Sequence, residues 1–452
     1  MEGRGVHAPL AERDPHDAGS EAPRGRVMEG RRPAMTIAVP GGLVVFAGIG
    51  MPAAALNLKL NTLHVLALAA FGVAMGLWLK GRLKVLDRLN IPASIAGGLV
   101  YALLALVLRD RYLNLEMEMS LRDVLMVAFF TTIGMGASLG LVREGSRQVA
   151  RFFALATLGA VLQNLLGIAL ARLFGLDPLL GVISGSVALT GGPATALAFG
   201  ATFEKLGVAG ATTLGIASAT FGITAGGLLG GHVGAGLIRR HGLKAGAAGL
   251  RPARAETIRA EEASGEERSA LLDSVVAVAI AMGIGALVSA GFERSGAILP
   301  SYVGAMMAAA ALRNLDDRFG FAGIAPRHVE TIGNISLYLF IVMALLTLRL
   351  WELAALALPM LVMLAAQVAL VWLLCRTFSF RLMGRDYESA VMAGGFCGFM
   401  LGTTANAMAC MDVLTQKYGP APRAYIVVPV VGAFLIDFTN ALVITAAMNM
   451  LR

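Results

Sequence analysis

The sequence predicts an all-α membrane protein made of two inverted repeats, each with five transmembrane helices and one re-entrant hairpin. Three observations lead there. Of 452 residues, 57% are hydrophobic and 15% charged, where a soluble domain carries about 25% charged residues. Apolar segments of about 20 residues, enough to cross a bilayer, succeed one another along most of the chain. The pattern after a polar interruption at 239–270 repeats the pattern before it. A mean hydropathy of +0.73 with 55 glycines excludes a soluble enzyme, a disordered chain and a coiled coil. Small residues instead suit helices that pack closely in lipid.

Residues 1–34 form a polar tail, rich in Gly and Pro, with too few apolar residues to build a core, and a disordered cytoplasmic segment is expected. Residues 35–57 are apolar and long enough for an extra transmembrane helix, although Pro40, Gly41, Gly42 and Pro52 weaken a straight one. The first repeat, 58–238, holds apolar segments at 62–79, 92–108, 121–142, 151–173, 178–200 and 212–238. A cytoplasmic linker, 239–270, carries seven basic and five acidic residues and almost no large apolar side chain. The second repeat, 271–452, holds segments at 271–292, 298–312, 330–348, 353–375, 388–411 and 424–450. One fixed offset lays Asp177 on Asp386, Gly185 on Gly394, Thr195-Ala196 on Thr404-Ala405 and Ala198 on Ala407.

Charge sets the orientation, because basic loops stay in the cytoplasm. Lys80, Arg82, Lys84 and Arg88 mark one such loop, Arg143, Arg147 and Arg151 a second, and Arg313, Arg318 and Arg327 a third, with Arg376, Arg381 and Arg385 marking a fourth. This is consistent only if segment 178–200 enters and leaves on the outer face and 388–411 on the inner face. Opposed half-helices of this kind are a secondary-transporter design. The net charge of +8 lies between apolar runs, so it reads as orientation and contact with membrane lipid, with no nucleic-acid partner. Cys375, Cys397 and Cys410 lack CxxC spacing and the six histidines are scattered, which leaves no disulfide scaffold or metal cluster to propose.

The first hairpin contains Thr190-Gly191-Gly192-Pro193-Ala194-Thr195. Two glycines break a helix, and proline suits the first turn of the next. Such a break aims the free N–H groups and positive dipole end of the outgoing half-helix at mid-membrane, an anion site built from backbone. Gly402-Thr403-Thr404-Ala405-Asn406 supplies the same device in the second hairpin, with Thr403 or Thr404 as its cap. No lysine or arginine lies in the middle of an apolar segment, so an anionic substrate would rest on amides and hydroxyls. Its expected contacts are Thr190, Gly191, Gly192, Thr195, Gly402, Thr403, Thr404 and Asn406. The alternative is that these small residues serve close packing of continuous spans.

Asp437 lies inside the last segment, where a lone carboxylate costs about 2.5–3.5 kcal/mol. With Asn440 one turn on, it is a candidate for holding a cation such as Na+. Gln163 and Asn164, mid-helix amides like Gln367, either bridge helices or add to that cation site. Trp78, Trp351 and Trp372 fall near span ends and read as interfacial anchors.

Several segments, in order, resemble the bacterial sodium/glutamate symporter family. They include Ser120-Leu121-Arg122-Asp123 with Phe129-Phe130, Gln163-Asn164, Gly175-Leu176-Asp177-Pro178-Leu179 and Gly191-Gly192. Ala219-Thr220-Phe221-Gly222, Leu350-Trp351-Glu352-Leu353-Ala354 and Val428-Pro429-Val430-Val431-Gly432-Ala433-Phe434 continue the match, which ends at Ile436-Asp437-Phe438-Thr439-Asn440. It spans about residues 60 to 445. The resemblance implies sodium-driven uptake of glutamate at the bacterial inner membrane by a homodimer with an elevator-like movement, and no enzymatic activity. Where that family typically has other residues, this chain has Pro193, Phe199, Phe396, Met400 and Thr404-Ala405-Asn406-Ala407. These departures leave another carboxylate or amino acid open as substrate. A channel or an intramembrane hydrolase is the remaining class of function, but no HExxH or GxSxG pattern supports the hydrolase.

Overall fold

The computed structural model describes residues 35–39, 42–46, 56–89, 91–108, 112–138, 147–245, 266–296, 298–320 and 325–452. The tail expected over 1–34 and most of the linker over 239–270 lie outside these residues. The chain is a multi-pass helical membrane protein. Thr62–Arg82, Arg147–Leu173, Ala211–His241, Leu271–Arg294, Pro326–Leu346 and Leu356–Leu382 are each long and apolar enough to cross a bilayer.

The helices are α1 (Thr62–Arg82), α2 (Ala93–Leu108), α3 (Ser120–Gly136), α4 (Arg147–Leu173), α5 (Pro178–Val182), α6 (Gly192–Lys205) and α7 (Ala211–His241). After the linker come α8 (Glu266–Arg294), α9 (Ser301–Phe319), α10 (Pro326–Leu346), α11 (Leu353–Leu374), α12 (Tyr387–Met400), α13 (Thr404–Tyr418), α14 (Ala424–Val430) and α15 (Ile436–Leu451). Their starts follow local chemistry. Asn61 caps α1 by accepting from the His64 N–H at 3.0 Å. Asp177 caps α5 by accepting from Leu179 N–H at 2.8 Å, and Asp386 caps α12 by accepting from Ser389 N–H at 2.8 Å. The two aspartates that the sequence offset superimposes therefore do the same work, one at the entrance of each expected hairpin.

The N-terminal stretch differs from expectation. Within the stretch 35–57, of which only 35–39, 42–46 and 56–57 are described, Met35–Val39 (β1) pairs antiparallel with Gly42–Phe46 (β2) where a helix is expected. Leu56–Leu60 (β3) pairs in parallel with Leu113–Met117 (β4). Thr36, Ile37, Val39, Val44 and Val45 are β-branched and Pro40-Gly41 separates them, which favours a hairpin over a helix. Helix α9 also outruns the expected 298–312 and continues through its charged end, where Arg313 and Asp317 form an i,i+4 pair at 2.9 Å.

Two bundles emerge. In the first, α3 packs against α10, α9 packs on α3 and α2 on α10, and α8 packs on α9 and α1 on α2. Read outward from the α3–α10 pair, the order is the same in either half of the chain. Glycine makes the outer contacts close: a methyl group on Gly97 would run into the Gly72 carbonyl on α1, and one on Gly285 into the Ala305 backbone on α9. Backbones at that distance gain dispersion that larger residues would forfeit. The second bundle contains α4 to α7 and α11 to α15, with α7 packed along α6, α12 and α13. The bundles meet where Phe199 of α6 stacks edge-on to Tyr302 of α9, centroids 5.2 Å apart.

Outside, apolar side chains remain exposed, including Leu63, Phe71 and Trp78 on α1 and Leu272, Ile280 and Leu287 on α8. In water this would be a liability, and in lipid it is the solvated face. Arg82 lies over Trp78 at 5.7 Å and Arg376 over Trp372 at 4.7 Å, which suits aromatic rings at a membrane interface.

The base of α12 is tied to the start of α14. Arg423 donates to Asp386, and the Glu388 carboxylate accepts from the Arg423 N–H at 2.7 Å and the Ala424 N–H at 3.2 Å. Partial burial opposes the charge of Asp386, but its bonds from Ser389 and Arg423 outweigh that and hold its pKa below the ordinary 3.8. A depressed folded-state pKa stabilises the fold above 3.8 and loses that contribution as pH falls through the lower value. Asp386→Ala should cost about 1 kcal/mol, as for other caps. Thermal unfolding in detergent should show this deficit at neutral pH and a smaller one near pH 3.

Candidate functional site

Both expected hairpins are broken helices. In the first, α5 passes through a π-helical turn, Ile183–Val187, that is interrupted by non-helical Gly185 at φ −96° and ψ −126°. A side chain there would crowd the Gln163 carbonyl and the Asn164 amide on α4. The chain turns over Ala188–Gly191 and restarts as α6 at Gly192, with Pro193 in its first turn. In the second hairpin, α12 stops at Met400 and α13 begins at Thr404. Thr403 is extended (φ −130°, ψ 168°) and occupies the cap position without a side-chain cap bond; Gly191, at the cap position of α6, has no side chain to make one.

The two breaks meet. A Cβ built on Gly192 would lie 3.4 Å from Thr403 Cγ2 and 3.8 Å from the Gly402 carbonyl oxygen. The first turns of α6 and α13 thus sit side by side, and the first-turn N–H groups of a helix have no acceptor within it. Two positive dipole ends in apolar surroundings repel one another, and a negative group between them relieves that repulsion. Such an arrangement can hold an anion with main-chain donors alone.

Buried amides fix its shape. Gln163 on α4 and Gln367 on α11 are both 0% exposed. Gln163 Nε2 donates to the Met400 carbonyl at 2.9 Å, and Thr190 Oγ1 donates to Gln163 Oε1 at 2.6 Å. One side chain therefore bridges the tip of each hairpin. Gln367 Nε2 donates to the Gln163 carbonyl at 2.7 Å. Ser186 is held between two asparagines: its N–H donates to Asn164 Oδ1 at 3.1 Å, and its carbonyl accepts from Asn440 Nδ2 at 3.0 Å. Asn164 Nδ2, Ser186 Oγ and Asn440 Oδ1 remain buried without a protein partner, which calls for a bound water, ion or ligand.

Of the residues singled out in the sequence, Thr190, Gly191, Gly192, Gly402 and Thr403 come together at the tips. Thr195 packs back over Gly191, and Thr404 lies against Gly432 at the turn before α15. Asn406 lies against Gly402, where a Cβ would run into its Nδ2; that Nδ2 donates to the Ile223 carbonyl on α7 at 2.8 Å, and its Oδ1 is buried without a protein partner. Asp437, in the first turn of α15, is half-buried and has no hydrogen-bond or ion-pair partner among the described residues. Asn440, one turn on, reaches the first hairpin through Ser186. Ser186 and Met400 were not singled out as site residues; only the glycine before Ser186 hinted at its role. The departures from the resembled pattern also separate in space. Phe396 lies edge-on to Phe152 at 5.5 Å and Phe199 edge-on to Tyr302, within aromatic contacts of the core, whereas Pro193 and Met400 adjoin the two breaks.

Residues 58–420 match the family described as Sodium/glutamate symporter. The chain is 39% identical over 391 residues to a Sodium/glutamate symporter of Escherichia coli, covering 85% of this chain and 96% of that relative. It is 33% identical over 390 residues to a Sodium/glutamate symporter of Haemophilus influenzae, covering 84% and 95%.

Gly192 has φ +70°, a region that costs a residue with a Cβ about 1–2 kcal/mol. Gly192→Val adds branches toward Thr403. Binding of a carboxylate ligand to the purified protein should fall at least about tenfold, with an unchanged size-exclusion profile.

Proposed function

Because this chain belongs to the sodium/glutamate symporter family, we propose that it takes up glutamate together with Na+ as a secondary active transporter of the bacterial inner membrane. The observation that carries this reading is the meeting of two uncapped helix N-termini at Gly192 and Thr403. Their free N–H groups suit the carboxylates of an anionic amino acid, and no basic side chain is needed between them.

The hairpins enter the membrane from opposite sides and do not cross it. Lengths support this: at 1.5 Å per residue, the 14 residues of α6 and of α12 extend about 21 Å, short of the ~30 Å hydrocarbon core. Basic loops on the cytoplasmic side place the first hairpin outside and the second inside. The repeat reading is supported by the mirrored order of contacts around α3 and α10 and by the matched caps Asp177 and Asp386. Each bundle draws on both repeats, so one can slide as a unit. The hairpin-bearing bundle carries the substrate past the other, elevator fashion, and the static bundle joins two subunits into a homodimer.

Asp437 and Asn440 are the cation site. A lone intramembrane carboxylate needs a counter-charge, and Asn440 Oδ1, buried and unpartnered, supplies a neutral oxygen beside it. Gln163 and Asn164 hold hairpins, since both of their amide oxygens already accept bonds from them. Pro193 and Met400 at the tips favour a related carboxylate as the second reading of the substrate, which a panel of amino and hydroxy acids resolves.

Glutamate carries net −1 charge and meets about 2.3 kcal/mol of opposition per 100 mV at an inside-negative membrane. One Na+ only cancels that charge, so at least two are coupled. In proteoliposomes, labelled glutamate uptake should require Na+ and rise when the interior is made negative at a fixed Na+ gradient; voltage-independent uptake would contradict the stoichiometry. Asp437→Asn should raise the Na+ concentration for half-maximal uptake by about tenfold or more, the effect of losing a charged partner. An unchanged Na+ dependence would remove Asp437 from this role.

A further inference from the structure

Resting on the glutamate-carrier reading, we infer that Gln163 is a positioning residue that makes the Thr190 hydroxyl an acceptor toward the substrate, so that Thr190 selects ligands bearing an ammonium group. An amide can be placed two ways round, but here the choice is forced. The Met400 carbonyl can only accept, so the NH2 end of Gln163 must face it, at 2.9 Å. The oxygen end then faces Thr190, at 2.6 Å. An amide oxygen cannot donate, so Thr190 gives up its single proton. The donation from Gln367 to the Gln163 carbonyl fixes the backbone that carries this amide.

A hydroxyl whose proton is committed offers lone pairs only. The bond to Gln163 also polarises that oxygen and makes it a better acceptor. Thr190 lies in the first hairpin's break, two residues before Gly192, and opposite Met400, whose thioether sulfur is 3.8 Å away and supplies no proton. The first turns of α6 and α13 contribute N–H donors, which suit carboxylates. The site therefore pairs donors with one oriented acceptor, and glutamate presents two carboxylates and one ammonium. Glutarate has the same carboxylates but leaves the acceptor unmatched, the kind of loss by which polar sites reject analogues.

The test measures binding of glutamate and of glutarate at saturating Na+ by ligand-induced thermal stabilisation of the detergent-solubilised protein, with wild-type glutamate uptake into proteoliposomes as the reference. The wild-type chain should prefer glutamate by at least about tenfold, the scale of a hydrogen bond to a charged group. Thr190→Val should lose about tenfold or more for glutamate and little for glutarate. Thr190→Ser, which keeps the hydroxyl, should restore the preference. Gln163→Leu, which frees the proton, should narrow the preference with Thr190 still present, and Thr190→Ala provides the same comparison as Thr190→Val if the valine variant does not fold. Equal losses for both ligands, no loss for either, or a serine variant that fails to restore the preference would overturn the inference while leaving the carrier reading intact. Absence of wild-type glutamate uptake would instead overturn the carrier reading and this inference with it.

Discussion

The structure depends on one electrostatic constraint: two helix N-termini are brought together in apolar surroundings with their first-turn amides unspent. In water such amides would be solvated, and in most proteins a side chain would cap them. Here neither Gly191 nor Thr403 caps its helix. The cost of apposing like dipole ends in a low dielectric is borne by the frame around the tips, and the proposed negative ligand would offset it. That frame consists mainly of amides. Gln163 spans the tips, Gln367 steadies Gln163, and Asn164 and Asn440 hold Ser186 where the first hairpin is unwound.

The same constraint explains why glycine concentrates where it does. A broken helix at membrane depth is tolerated only when protein buries it, and both hairpins pack at close range against α4, α7 and α11, the first also against α15 and the second against α14. Close range requires small residues, as Gly185 against α4 illustrates. In the first bundle, glycines such as Gly97 and Gly285 play a different part and let neighbouring helices touch backbone to backbone. A bundle packed in this way suits the static frame of the proposed elevator movement.

Much of this was legible in the sequence because its signals are local. Gly191-Gly192-Pro193 and Gly402-Thr403-Thr404 are helix breaks by residue chemistry alone, and the structure places breaks at both. The offset aligned Asp177 with Asp386, which the structure shows to be two matching caps. Less legible were features set by three-dimensional neighbours. Nothing in a run of apolar helices states which will share a bundle. Asn406 reads as a tip residue and lies against Gly402, but only the fold shows that its NH2 end is spent on the Ile223 carbonyl of α7. Gln163 and Asn164 read as helix bridges or as cation ligands until the carbonyl of Met400 and the N–H of Ser186 show which way each amide points. The apolar stretch over 35–57 is long enough for a span, but length and hydrophobicity do not separate a helix from a hairpin when the residues are β-branched and interrupted by Pro40-Gly41.

The most direct measurement is a density map of the protein loaded with Na+ and glutamate. Ligand density between the first turns of α6 and α13, with its carboxylates against the backbone amides that follow Gly192 and Thr403, is what this account requires. Ligand density elsewhere, or an α5–α6 segment running straight from one aqueous face to the other, would contradict it.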